Sequence, residues 1–215
     1  APKRWLHRSR TSMPSRFVDE FRAICFDVNG TIMFGGDRLD EDQDFFRTYT
    51  QLGGGRLAAD YVHFAVRETC RFLSRAYEDP VCVDSFPSVA AAISSCTHLA
   101  KEEAALIERV ISIHEIGAIP DWAAQAIKVL SQTHTIAIVS NIWSPSLLWR
   151  EELARTELID VCRFAVFSSD IGSIKPSQQI FARALEALSL PADQVLFVGD
   201  SLERDIRTAK GVGMA

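Results

Sequence analysis

The chain has 215 residues, 47% of them apolar and 24% charged, with a net charge of −5. That balance belongs to an ordinary soluble globular protein, one domain with a sizeable insertion or two small domains. It disfavours a broad nucleic-acid face, since a phosphate backbone selects basic surfaces. No apolar run reaches the roughly 18 residues that a membrane helix needs, so no membrane partner is expected.

Residues 1–16 come first and are basic, with Lys3, Arg4, Arg8, Arg10 and Arg16 and no acid among them. Chain ends of this kind are usually poorly ordered, and a disordered basic arm is expected there. The next segment, "AICFD" (23–27), is a short apolar run that reads as a strand buried on both faces. Residues 33–118 then lose the strand signal. They read as four amphipathic helices, "LDEDQDFFRTYTQL", "RLAADYVHFAVRETCRFLSRAY", "PSVAAAISSC" and "AKEEAALIERVISIHEIG", entered through "FGGD" and left through "GAIPD".

Beyond the helical stretch, strand and helix alternate. "TIAIVS" (135–140), "RFAVFS" (163–168) and "QVLFVGD" (194–200) read as strands. "PDWAAQAIKVL" reads as a helix with an apolar stripe at Trp122, Ala126, Val129 and Leu130. "PSQQIFARALEAL" reads as another, with Ile180, Phe181, Ala184, Leu185 and Leu188. The predicted fold is α/β, a doubly wound parallel sheet with residues 17–32 and 119–215 as its core and 33–118 as an inserted all-helical unit. The five cysteines, Cys25, Cys70, Cys82, Cys96 and Cys162, are scattered and odd in number. Free thiols in a reducing compartment, by default the cytoplasm, are expected. Nothing in the sequence sets an oligomeric state.

In a parallel sheet the carboxyl ends of neighbouring strands converge on one crevice. Here those ends offer Asp27, Ser140, the loop to Lys175, and Asp200 with Asp205. Two or three carboxylates suit Mg²⁺, which prefers oxygen ligands. A lysine and a hydroxyl can grip phosphate oxygens, and Gly30 lets backbone N–H groups approach an anion. A carboxylate beside a metal can attack phosphorus and form an acyl phosphate.

With those motifs in place, the sequence resembles the haloacid dehalogenase-like superfamily, in its phosphatase branch with a helical cap after the first motif. "FDVNGTI" is similar to the family's first motif, "AIVSN" to its second, "IKPSQQIF" to its third and "LFVGDSLERDI" to its fourth, over residues 24–214. The resemblance implies Asp27 as nucleophile and Mg²⁺ ligand, the Asn29 carbonyl and Asp200 as further ligands, and Asp205 ordering metal-bound water or Lys175. It implies Gly30, Thr31, Ser140, Asn141 and Lys175 as the groups that hold the phosphate of a small phosphorylated metabolite. Lys175 would offset the charge of Asp27 and the phosphoryl group, the largest share of such catalysis. The rival is a catalytically silent phosphate-binding or scaffolding relative.

Two departures stand out. Where this branch has a second Asp as proton shuttle, the chain has Asn29. An amide cannot shuttle protons near neutral pH, and losing a general acid–base costs about 10²–10⁴ in rate. Four readings stand at this point: an introduced substitution that slows turnover, a naturally slow or phosphate-binding relative, a leaving group that needs no proton, or different chemistry. Dehalogenation fits poorly, because position 29 is not Tyr. The second departure is that the family continues past a "GM"-like signal into another strand, whereas this sequence ends at Ala215, which leaves one sheet edge unassigned and removes no proposed catalytic residue. In the insert, the three glycines at 53–55 with Arg56 are candidates to reach the site. Tyr61, His63 and Phe64 are expected to pack between its helices, and Trp143 either lines the entrance or joins the core.

Overall fold

The structure is a computed structural model that describes residues 17–215. The predicted basic arm, residues 1–16, lies outside the described residues. Four strands are found among the described residues: β1 (Ala23–Phe26), β2 (Thr135–Ser140), β3 (Cys162–Phe167) and β4 (Val195–Val198). They form one parallel sheet in the order β3-β2-β1-β4. β1 sits inside the sheet, with Phe26 level with Ile138 on one side and Val198 on the other, so the chain that follows it emerges between two strand ends.

Side chains alternate across the sheet as a two-residue period requires. Ile24, Phe26, Ile136, Ile138 and Leu196 face one layer, against Ile119, Trp149 and Leu153. Ala23, Cys25, Ala137, Val139, Val195 and Phe197 face the other, against Ile180, Phe181 and Ala184. Helices cover both layers, the arrangement expected of strands that are apolar throughout. The outer edge of β4 is met by Ala215, whose N–H donates to Val195 O (3.0 Å) and whose carbonyl accepts from Phe197 N–H (2.9 Å).

Between β1 and β2 lie helices α1 (Phe45–Gln51), α2 (Ala59–Glu78), α3 (Val89–Cys96) and α4 (Lys101–Glu115). Asp44 caps α1 by accepting from Arg47 N–H, and Ser88 caps α3 by accepting from Ala91 N–H. α2 buries Val62, Ala65, Val66, Thr69, Leu73 and Ala76, a stripe at helical spacing. These helices have an apolar core of their own, built on Phe45, Tyr49, Ile93, Ile107 and Ile111, joined from outside by Ile174.

The segments that enter and leave this helical insert run side by side. Phe34 and Ala118 exchange two backbone hydrogen bonds (3.0 and 2.9 Å), Asp37 N–H donates to Glu115 O (2.9 Å) and Arg38 N–H to His114 O (2.8 Å). A Cβ on Gly36 would lie 2.4 Å from Glu115 O, and one on Gly117 2.5 Å from Phe34 O, so the pairing requires glycine in both segments.

The second half of the chain supplies α5 (Asp121–Leu130), α6 (Leu147–Arg155), the short α7 (Leu158–Val161) and α8 (Ser168–Ile171), α9 (Gln178–Leu188) and α10 (Thr208–Gly211). α9 buries Ile180, Phe181 and Ala184 as expected. α5 corrects the expectation: its buried face is Ala123, Ala124 and Ile127, while Trp122 (65%) and Val129 (48%) are exposed. The small alanines let the helix lie close to the sheet, and Trp122 packs outside against Phe34, ring centroids 5.8 Å apart.

Of the aromatic residues assigned to the insert's interior, only His63 packs inward, against Phe45 at 5.6 Å. Tyr61 and Phe64 are exposed and meet each other on the surface at 5.7 Å. All five cysteines are free, with Cys25 and Cys70 buried. Among the described residues no helix is long and apolar enough to cross a membrane.

Candidate active site

The β1 ladder continues one residue past the strand, Asp27 N–H donating to Val198 O (2.9 Å), and the backbone then turns. Ile32 and Met33 N–H both donate to Val28 O, and Gly30 closes the turn by donating to Met33 O (2.9 Å). Gly30 has φ +80°, and a Cβ there would stand 2.2 Å from Asp200 Oδ2. The position therefore needs glycine for its backbone angle and for the close approach of the β4 loop.

Asp27 is buried at the floor of the crevice. Its Oδ1 accepts from Lys175 Nζ (2.6 Å) and from Ser140 Oγ (2.8 Å), and its Oδ2 lies 3.4 Å from Thr31 Oγ1. Val28 N–H donates to the same Ser140 Oγ (3.3 Å), which ties the ends of β1 and β2. Lys175 Nζ also donates to Asp205 Oδ1 (2.5 Å). The second Asp205 oxygen accepts from Ser201 N–H (3.0 Å), across a π-helical turn at Leu202–Arg207. Burial pushes the Asp27 carboxyl up and Lys175 pulls it down, and the net shift is upward. Burial alone would lower the Lys175 ammonium, but Asp27 and Asp205 outweigh it and the net shift is upward.

The main chain of Lys175 is gripped as closely as its side chain. Asn141 Oδ1 accepts from Lys175 N–H (2.7 Å), and Asn141 Nδ2 donates to Lys175 O and to Tyr77 OH (3.1 Å each). Arg204 donates to Lys175 O and to Tyr77 O (2.8 Å each), its guanidinium 3.7 Å from the centre of the Tyr77 ring. Tyr77 belongs to α2, so the insert and the sheet meet on the residue that carries the ammonium.

Asp27, Asp200 and Asp205 each offer an oxygen within 4.8 Å of the others. This oxygen-only set fits a hard divalent cation such as Mg²⁺. Asp200 is exposed to the crevice, whereas both Asp205 oxygens already have partners. Asn29 lines the crevice, and its Oδ1 accepts from Trp149 Nε1 (3.3 Å).

A cavity of about 880 Å³ opens above these groups, walled by the strand-end loops on one side and α2 on the other. Trp143 lines it and also packs against Tyr77, centroids 6.2 Å apart, so both readings of that residue hold. The three-glycine loop takes no part. It closes on the Tyr49 hydroxyl, which accepts from Arg56 and Leu57 N–H and donates to Glu103 (2.6 Å).

Sequence reading did not single out Tyr77, Arg204, Glu115 or the arginines of α2. Glu115, buried at the end of α4, accepts from Trp143 N–H (2.6 Å) and Ser144 N–H (2.9 Å) and lines the cavity. Burial pushes its carboxyl up to about 7, against the pull of those two donors. One signal was available: Arg67, Arg71 and Arg75 recur every four residues, and Arg204 lies inside "GDSLERD".

A family model described as haloacid dehalogenase-like hydrolase matches residues 21–213, and the chain belongs to that family. A glyceraldehyde 3-phosphate phosphatase of Pyrococcus abyssi is 39% identical over 71 residues, 33% of this chain and 29% of that one. A ribulose-1,5-bisphosphate 5-phosphatase of Halopiger xanaduensis is 30% identical over 102 residues, 47% of this chain and 42% of that one. The matched stretches thus span less than half the length of these curated relatives. Among solved structures, a HAD phosphatase from Thermococcus onnurineus is similar at 28% identity and a TM-score of 0.56, covering 90% of this chain and 83% of that one. A 2-haloacid dehalogenase from Pseudomonas syringae pv. Tomato DC3000, at 19% identity and a TM-score of 0.59 over 90% and 84%, shares the fold.

Proposed function

We propose that the protein is a Mg²⁺-dependent phosphohydrolase of a small phosphomonoester, working through an aspartyl-phosphate at Asp27. The observation that carries this reading is the Asp27 carboxylate, with Oδ1 held by Lys175 and Ser140 and two further carboxylates within 4.8 Å. A carboxylate fixed this way meets phosphorus in one orientation, which contributes as positioning.

In the first step an Asp27 oxygen bonds to phosphorus as the bond to the leaving oxygen breaks. Water then attacks the phosphoaspartate, its proton passing to solvent because Asn29 cannot take it, and the new P–O bond breaks to release phosphate and the free carboxylate. Lys175 balances negative charge in both steps, and Ser140 fixes the direction of the Asp27 side chain. Asp27, Asp200 and the Asn29 carbonyl would hold Mg²⁺, with Asp205 fixing Lys175. The bound ion would supply charge neutralisation at the phosphoryl oxygens. Gly30, Thr31 and Asn141 frame the phosphoryl site.

Asn29 enters as a neutral hydrogen-bond donor to the leaving oxygen, which leaves solvent to supply the proton and makes turnover slow for alkoxide leaving groups. Residues 33–118 act as a cap that excludes water. The free thiols suit a reducing cytoplasm.

The test is phosphate release from p-nitrophenyl phosphate and a panel of phosphomonoesters, with Mg²⁺, with chelator, and with Asp27→Asn. Release that needs Mg²⁺ and disappears in Asp27→Asn supports the reading. A folded chain that binds Mg²⁺ yet releases nothing, even as Asn29→Asp, overturns it in favour of a silent phosphate-binding protein.

A further inference from the structure

Helix α2 turns two unlike faces to its surroundings. Its apolar stripe packs into the insert's core, and Arg67, Arg71 and Arg75 all line the cavity above Asp27. At about 1.5 Å of rise per residue, the three arginines stand about 6 Å apart along one edge of the helix. The row leads away from the phosphoryl site, because Tyr77, two residues beyond Arg75, receives the Asn141 amide next to Ser140.

Two of the three cations lack the carboxylate partners that a solvated charged face normally finds. Arg71 pairs with Glu68 on its own helix. Arg67 donates to a main-chain oxygen, Glu41 O (2.7 Å), and its Nε is buried with no partner. Among the described residues, no carboxylate lies within ion-pairing distance of Arg67 or Arg75. Asp37, Asp40 and Glu41 line the same cavity from the entering segment, yet none pairs with the row. A row of guanidinium groups in a partly enclosed cleft concentrates anions and binds carboxylates or phosphates through two parallel hydrogen bonds.

We propose that the ligand of this cavity carries a second anionic group, a carboxylate or another phosphate, held by Arg71 and Arg75 with Arg67 behind them. The inference names the substrate class and in that respect rests on the phosphohydrolase reading. Recognition of the second anion is a binding property, however, and can be measured without turnover.

Matched ligands separate the sources of charge. Glycerol 3-phosphate and 3-phosphoglycerate differ by a carboxylate; fructose 6-phosphate and fructose 1,6-bisphosphate differ by a phosphate. Binding is measured by calorimetry with Mg²⁺ on the full chain carrying Asp27→Asn, a change that keeps side-chain shape. It is then repeated with Arg71→Gln and Arg75→Gln added, both on exposed side chains. As a second measurement, the same ligands compete with p-nitrophenyl phosphate on the unsubstituted chain.

The doubly anionic member of at least one pair is expected to bind about tenfold tighter or better, and the two arginine changes to bring that pair within about twofold. Whichever pair shows the difference identifies the second anion. Equal affinities within both pairs, or a preference that survives both arginine changes, overturn the proposal. Preference without phosphate release counts against the hydrolase reading alone, and release without preference counts against this inference alone.

Discussion

Trp149 Nε1 donates to Asn29 Oδ1 across 3.3 Å, from α6 to the turn that follows Asp27. An indole N–H can only donate, so it fixes which end of the amide faces α6 and leaves the NH₂ end as the donor available to the crevice. The side chain that stands where a proton shuttle is expected is therefore oriented but cannot exchange protons.

Asn29→Asp would place a carboxylate in the same hold. On the proposed chemistry it should raise Mg²⁺-dependent phosphate release by about 10²–10⁴ for alkyl phosphates, and much less for p-nitrophenyl phosphate, whose leaving group needs no proton. Rates on the two ester types, compared side by side, check this. Equal gains on both would place the missing proton transfer at the water that attacks the phosphoaspartate, and no gain on either would remove the proton-transfer explanation.

Lys175 separates two buried carboxylates, Asp27 and Asp205. In Lys175→Met both lose their counter-charge while the volume is nearly kept. A loss of about 3–5 kcal/mol in urea unfolding at pH 7 is expected. Part of it should return at acid pH, where protonation relieves the repulsion. Unchanged stability at pH 7 would mean that the ammonium is not what holds this cluster together.

Glu115 gives a pH signature of opposite sign to a salt-bridged acid. Its carboxyl is pushed up from 4.5 to about 7, so the folded chain binds a proton there that the unfolded chain has already released. Stability contributed by the protonated form is present below about 4.5 and is lost as pH rises through about 7, a difference of about 3 kcal/mol at one pH unit per 1.4 kcal/mol. Glu115→Gln should flatten that slope between pH 5 and 8 in denaturant titrations. A slope identical in the variant would assign the pH dependence elsewhere.

Arg204→Ala removes donors to two main-chain oxygens, Lys175 O and Tyr77 O, and the cation over the Tyr77 ring. Charge-assisted bonds of this type contribute about 1.5–3 kcal/mol. Denaturant unfolding should show a loss in that range, with phosphate release reduced because the Lys175 main chain loses one of its holds. Stability within about 0.5 kcal/mol of the unsubstituted chain would make the contact incidental.

The sheet was legible because its strands are apolar throughout, and their ends in sequence order led to Asp27, Ser140, Lys175 and Asp205, which the structure links in a chain of hydrogen bonds from Ser140 to Asp27 to Lys175 to Asp205. The α5 face was not legible. Both candidate stripes fit a helical period, and only the need for alanines against the sheet selects Ala123 and Ala124 over Trp122 and Val129. Arg204, Tyr77 and Glu115 escaped for a related reason. Each acts across the boundary between the insert and the sheet, and no local pattern records which surfaces will meet there.

The paired segments at Phe34 and Ala118 bear on how such a molecule can vary. The insert begins and ends at neighbouring points, tied by two backbone hydrogen bonds. Beyond that neck it is also bound to the core, through Tyr77 to Asn141 and Arg204 and through Glu115 to Trp143 and Ser144. Its far parts, such as the loop at 53–55, can be rewritten without moving Asp27, whereas those contacts and the two glycines at the neck tolerate no such freedom.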